Sequence, residues 1–138
     1  MRLATAVAAL GHPVELVFAK AAGECLARIP PDIRIIDLGA SRPLTALPAL
    51  VRYLRTTRPR VLAATITNAN LVALWAIGLS GVPVRCLVRE ASTLSIDLKH
   101  TSAHNRFLLP RLINHTFRHA DAIVTPSHGA ADDLARVS

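Results

Sequence analysis

The sequence predicts an α/β protein with a doubly wound, mostly parallel sheet, and three observations carry that prediction. Strand-like and helix-like segments alternate five times along the 138 residues. The strand-like runs, such as Val84–Val88, are nearly continuous apolar stretches, as expected where both faces of a parallel sheet are covered. Amides, hydroxyls and charges follow directly after these runs, where open α/β sheets bind their ligands.

The length fits one domain, 1–138, large enough to bury a core. Apolar residues make up 51% of it and aromatics 4%, so that core is built from Ala, Val, Leu and Ile. The formal net charge of +7 is carried almost wholly by arginine, with lysine only at positions 20 and 99. Such a balance suits phosphate groups or an anionic membrane surface as partners. Nucleic acid is excluded as a partner, because no stacking platform or recognition helix accompanies the charge. Cys25 and Cys86 form no metal-binding spacing and no disulfide framework, which fits the reducing cytoplasm. Cys86 reads as a small buried hydrophobe. The longest low-charge run, Ala69 to Val84, is too short and too polar to span a membrane. Gly11, His12, Pro13 and Glu15 interrupt the apolar start ahead of the cleavage-like Ala19-Lys20-Ala21, which argues against a signal peptide.

The elements follow in order. Met1–Leu10 is Ala-rich and closes at Gly11 and Pro13, a helix end. Val14–Ala19 is a strand, and Ala21–Ile29 a short helix stopped by Pro30 and Pro31. Ile33–Leu38 is the next strand. Pro43 opens a helix whose Leu44, Leu47, Leu50, Val51 and Leu54 recur at helical spacing to Thr57, with Arg52, Arg55 and Arg58 opposite. Val61–Ile66 is a strand, Thr67–Asn70 its loop, and Leu71–Leu79 a helix apolar all round and therefore buried. After the strand Val84–Val88, residues 91–105 form a long polar loop. Phe107–Phe117 is a helix, Ala122–Thr125 a short strand, and Ser127 caps a last helix with Asp132 and Asp133 in its early turns.

No Gly-rich phosphate loop, nucleophile elbow or metal-ligand set appears. His115 and His119 share a helix face but sit among arginines, which fits a solvated surface better than a metal site. The candidate site lies at three strand ends: Asn68 and Asn70; Arg89, Glu90, Ser92 and Thr93; and Ser127, His128 and Gly129. Three such loops on the same edge of one sheet make the case for a cleft. No catalytic residue, cofactor or metal is assigned.

The segments LGHPVELVFA, IRIIDLG, LPALVRYLRTTRPRVL, TNANLVALWA, GVPVRCLVREASTLS and ADAIVTPSHGAADDLARVS, taken in that order, resemble the Rossmann-like N-terminal, acceptor-side domain of a family 4 glycosyltransferase with the GT-B fold. The resemblance runs from end to end of the chain. It implies a retaining transferase that moves a sugar from a nucleotide-diphosphate sugar to a glycan or lipid-linked acceptor. It also implies that the donor is held by a C-terminal domain outside this sequence, and that Asn68, Asn70, Arg89, Glu90, Ser92 and Thr93 bind the acceptor, with Ser127, His128 and Gly129 facing the cleft. Three features depart from the family pattern. The chain opens in the helix that follows the first strand in relatives, Glu90-Ala91-Ser92 stands where many relatives have a His, and the C-terminal half is absent. The domain is thus expected to be incomplete at both ends. A peripheral position at the inner face of the membrane suits the arginine-rich helices. Two other readings stay open at this point, a non-catalytic α/β binding module and an inactive remnant of a truncated reading frame.

A missing first strand would have stability consequences. In sheets of this class that strand is central, and each buried polar group left unpaired costs about 1–3 kcal/mol against a whole-domain stability of about 5–15 kcal/mol. The isolated chain is expected to be marginal or molten on thermal unfolding followed by circular dichroism. A sharp, reversible transition above about 55 °C, ordinary for an intact domain, would overturn the expectation.

Overall fold

The computed structural model describes residues 2–23, 26, 28–90, 103–127 and 129–132. They divide into two compact units, Met1–Ala46 and Leu47–Ser138. All strand pairs are parallel, so the α/β class expected from the sequence is what the structure shows.

In the first unit, helix α1 (Arg2–Ala9) stops where Gly11 turns into the left-handed region at φ 83°, a conformation that costs a glycine nothing. Strand β1 (Glu15–Phe18) then pairs with β2 (Arg34–Asp37). Glu15 faces Arg34 across the first rung, and their side chains meet at 3.2 Å. With the arginine largely exposed, the pair adds at most about 1 kcal/mol. The ladder continues beyond the strands, where Leu38 N–H donates to Phe18 O and Ala40 N–H to Ala19 O. Within the short helix expected over Ala21–Ile29, Leu26 and Arg28 are 3₁₀-helical, and Leu26 and Ile29 donate to the carbonyls three residues back, as the two prolines after Ile29 leave no room for a longer helix. Glu24, Cys25 and Ala27 lie outside the described residues. A 3₁₀ turn at Leu44–Ala46 ends the unit.

The second unit contains α2 (Leu47–Thr57), β3 (Val61–Thr65), α3 (Thr67–Ser80), β4 (Arg85–Arg89), α4 (Ala103–Phe117) and β5 (Ala122–Val124). Its sheet has the order β3-β4-β5. The core joins Leu71 and Leu74 of α3, Cys86 and Val88 of β4, and Ile113 and Phe117 of α4, with Trp75, Ile77 and Ala120 at its margin. Trp75 Nε1–H is directed at Thr116 Oγ1, 3.4 Å away, so the indole donor is not stranded. Strand β4 alternates, burying Cys86 and Val88 while Arg85 is exposed and Leu87 and Arg89 are half-buried. Burial on both faces, expected for this strand, does not hold, because the core cluster gathers on the face where α3 and α4 contribute side chains.

Helix α2 lies against α3, burying Leu50 and Leu54. Arg55 of α2 donates to Ser80 O at 3.2 Å and Leu79 O at 2.9 Å, capping the carbonyl end of α3 where Gly81 turns at φ 67°. Helix α3 begins at Thr67, four residues before the expected Leu71, so the anticipated Thr67–Asn70 loop is the first helical turn. Helix α4 likewise begins at Ala103, ahead of Phe107.

Cys86 is also held by its backbone. Its N–H donates to Asp121 Oδ2 at 2.7 Å, and its carbonyl accepts from Asp121 N at 2.9 Å. Burial first, and the nearby Asp121 second, push the thiol up to about 11. An unfolded cysteine ionises near 8.5, so above that pH the unfolded chain releases a proton that the folded chain keeps. Stability should be intact below about pH 8.5 and fall as pH rises toward 11. At pH 8, Cys86 should resist iodoacetamide in the native protein and react in urea, as mapped by peptide mass spectrometry. Equal labelling in both conditions would contradict its burial.

Candidate functional site at the carboxyl edge of the sheet

Parallel pairing aligns the strand ends that the sequence marked. Thr65 of β3 pairs with Arg89 of β4, and Arg89 pairs with Val124 of β5. The residues that follow, Ile66–Asn70, Glu90 and Thr125–Ser127, therefore lie along one edge of one sheet.

The centre of that edge is a buried polar knot. Glu90 is 2% exposed and Asn70 0%. Thr67 Oγ1 donates to Glu90 Oε1 at 2.9 Å, and Asn70 Nδ2 donates to Glu90 Oε2 at 3.3 Å and to Arg89 O at 3.1 Å. Glu90 N–H donates to Val124 O at 3.0 Å, which ties the knot to β5. Among the described residues no cation pairs with Glu90. Its carboxyl instead sits over the first turn of α3, where the helix dipole favours negative charge. Helix α3 needs this help, because Ile66 precedes it without a capping side chain. Ile66 adopts φ 81°, ψ 133°, a region costly for a β-branched residue by about 1–3 kcal/mol. Its N–H reaches Arg89 O at 3.3 Å, its carbonyl accepts the first helical bond from Asn70 N, and its side chain is 61% exposed. Asn70 Oδ1 is buried without a hydrogen-bond partner.

The expected site residues now separate by exposure. Asn70 and Glu90 are buried and bonded to one another; Asn68 is exposed and Arg89 half-buried beside them. Ser127 is exposed, and its Oγ accepts from Ala130 N at 3.2 Å, the cap expected of it. Gly129 is exposed in the turn that follows. Ser92, Thr93 and His128 lie outside the described residues, as do residues 91–102 of the polar loop. Ile66 was not singled out from the sequence. An isoleucine at a strand end gives no hint of a left-handed backbone, whereas a glycine there would have.

His115 and His119 are exposed, with ring centroids 6.1 Å apart and edge to face. His119 Nε2 accepts from Arg118 Nε at 3.4 Å. Among the described residues no group of three or more His, Cys, Asp or Glu is placed to hold a metal, and no helix is long and apolar enough to cross a membrane.

A parallel α/β domain with its polar side chains at the carboxyl edge is a ligand-binding class of fold, and the chemistry of that edge suits hydroxyl-rich ligands. The chain matches the glycosyl transferase 4-like domain over residues 1–138 and belongs to that family. Among curated proteins none matches it.

The knot makes a specific demand on Glu90. In Glu90→Leu the carboxylate that accepts from Thr67 Oγ1 and Asn70 Nδ2 is gone and the buried Thr67 hydroxyl loses its acceptor, so the variant should lose about 1–3 kcal/mol, read as a lower midpoint in urea unfolding. An unchanged midpoint would show that the knot holds nothing.

Proposed function

We propose that this chain is the acceptor-binding half of a retaining glycosyltransferase that uses a nucleotide-diphosphate sugar. The single observation behind this reading is the edge itself, where Asn68, Arg89 and Ser127 lie at the ends of three adjacent parallel strands. Membership of the glycosyltransferase 4-like family supports the transferase class. In this reading Asn68 and Arg89 meet the hydroxyls of a glycan or lipid-linked acceptor. Glu90, Thr67 and Asn70 hold those contacts in place without touching the ligand. Ser127 and Gly129 complete the rim, and Ser92, Thr93 and His128, their neighbours in sequence, take part in the binding. The nucleotide diphosphate is held by a C-terminal domain, which supplies the charge stabilisation at the leaving group. The protein works in the cytoplasm, against the inner face of the membrane when its acceptor is lipid-linked.

Purified chain alone should therefore turn over no nucleotide sugar, yet bind an acceptor glycan in saturation-transfer NMR. Asn68→Ala should weaken that binding about five-fold, the worth of one hydrogen bond near 1 kcal/mol, with the melting temperature unchanged. Turnover by the homogeneous chain would refute the division of labour. Glycan binding indifferent to Asn68→Ala would move the acceptor elsewhere.

A further inference from the structure

The opposite end of the sheet carries a second feature, which the transferase reading does not use. From Leu38 to Arg89 the chain holds no acidic residue but seven arginines, at 42, 52, 55, 58, 60, 85 and 89. The fold gathers several of them where β3 and β4 begin. A cavity of about 260 Å³ there is lined by Arg58, Pro59, Arg60, Gly81, Val82 and Pro83. Arg85 starts β4 next to it, its N–H donating to Arg60 O at 3.0 Å. Arg58, Arg60 and Arg85 are exposed, and among the described residues none of them has an acidic partner.

Arginines at this place have an ordinary explanation, since α2 and α3 both end here. Arg58 N–H donates to Leu54 O as the last bond of α2, and Gly81 closes α3. Two helix C-termini present about half a negative charge each, roughly one in all. Arg55 meets the share of α3, because its guanidinium lies on Leu79 O and Ser80 O. Arg58, Arg60 and Arg85 bring three positive charges against the half charge left at the end of α2. Arg58 also holds a left-handed backbone, φ 46°, in the wall of the cavity, a position where glycine would be less strained. The remaining lining is apolar and proline-rich, so few competing donors or acceptors stand in the space. The cavity is open to solvent and large enough to admit a phosphate group.

We propose that this cavity is a phosphate-binding site, with the guanidinium groups of Arg58 and Arg60 clasping the oxyanion and Arg85 adding to the local field. Arginine is suited to the task, as its planar fork matches phosphate oxygens two at a time. The site lies at the amino ends of β3 and β4, whereas the candidate acceptor edge lies at their carboxyl ends. It can thus anchor the protein without competing for acceptor.

The test uses the full chain and two phosphate sources. Inorganic phosphate is titrated by heteronuclear NMR, and vesicles of phosphatidylcholine with and without phosphatidylglycerol are used in sedimentation. The double variant Arg58→Gln/Arg60→Gln is compared with Arg52→Gln/Arg118→Gln, which removes the same charge from exposed positions away from the cavity. Saturable phosphate binding, weakened at least ten-fold in the first variant and under two-fold in the second, establishes the site for free phosphate. Vesicle binding that requires phosphatidylglycerol and shows the same contrast establishes it for a lipid headgroup. No binding to either source, or equal losses in the two variants, overturns the proposal.

Discussion

The carboxyl of Glu90 is the constraint on which the carboxyl edge of the second unit's sheet depends. A strand end, a helix start and a neighbouring strand would otherwise be joined only by backbone, and at Ile66 that backbone is unfavourable. Glu90 links all three through Thr67, Asn70 and its own N–H to Val124. Burying such a group without a paired cation costs free energy. The helix dipole and the hydrogen bonds to its two oxygens offset that cost, and the geometry that results is narrow. Removing any one member leaves another buried and unsatisfied, which is why polar knots of this kind tolerate little change.

The division between what the sequence revealed and what it hid follows the range of the interactions involved. Apolar runs of Val, Ile and Leu, with prolines and glycines between them, mark strands β1 to β5 and the end of α1 because those signals are local. The start of α3 was misplaced because Thr67, Asn68 and Asn70 read as loop residues by propensity. What makes them helical is Glu90, about twenty residues further on, and no local pattern carries that contact. The same holds for Asn70 and Glu90 as site residues. Their chemistry was visible in the sequence, their burial was not, and burial turns their polar groups toward one another rather than outward.

Charge is distributed by the same logic of ends. Parallel strands give the sheet two unlike edges, and each helix that returns along it adds a dipole. At the carboxyl edge a single acid sits on a helix start; at the amino edge arginines surround two helix finishes. Four arginines, Arg55, Arg58, Arg60 and Arg85, thus gather at one end of the second unit.

The two long margins of the β3-β4-β5 sheet also differ. On one side, Asp121 uses its carboxylate and its own N–H to engage Cys86, imitating a rung of the ladder just before β5 begins. That clasp lets a strand of three residues, each exposed, remain in register with β4. On the other side, β3 runs five residues without a charge, a proline or a bulge. Within the second unit, the margin along Val61–Thr65 is therefore the longer and more regular of the two.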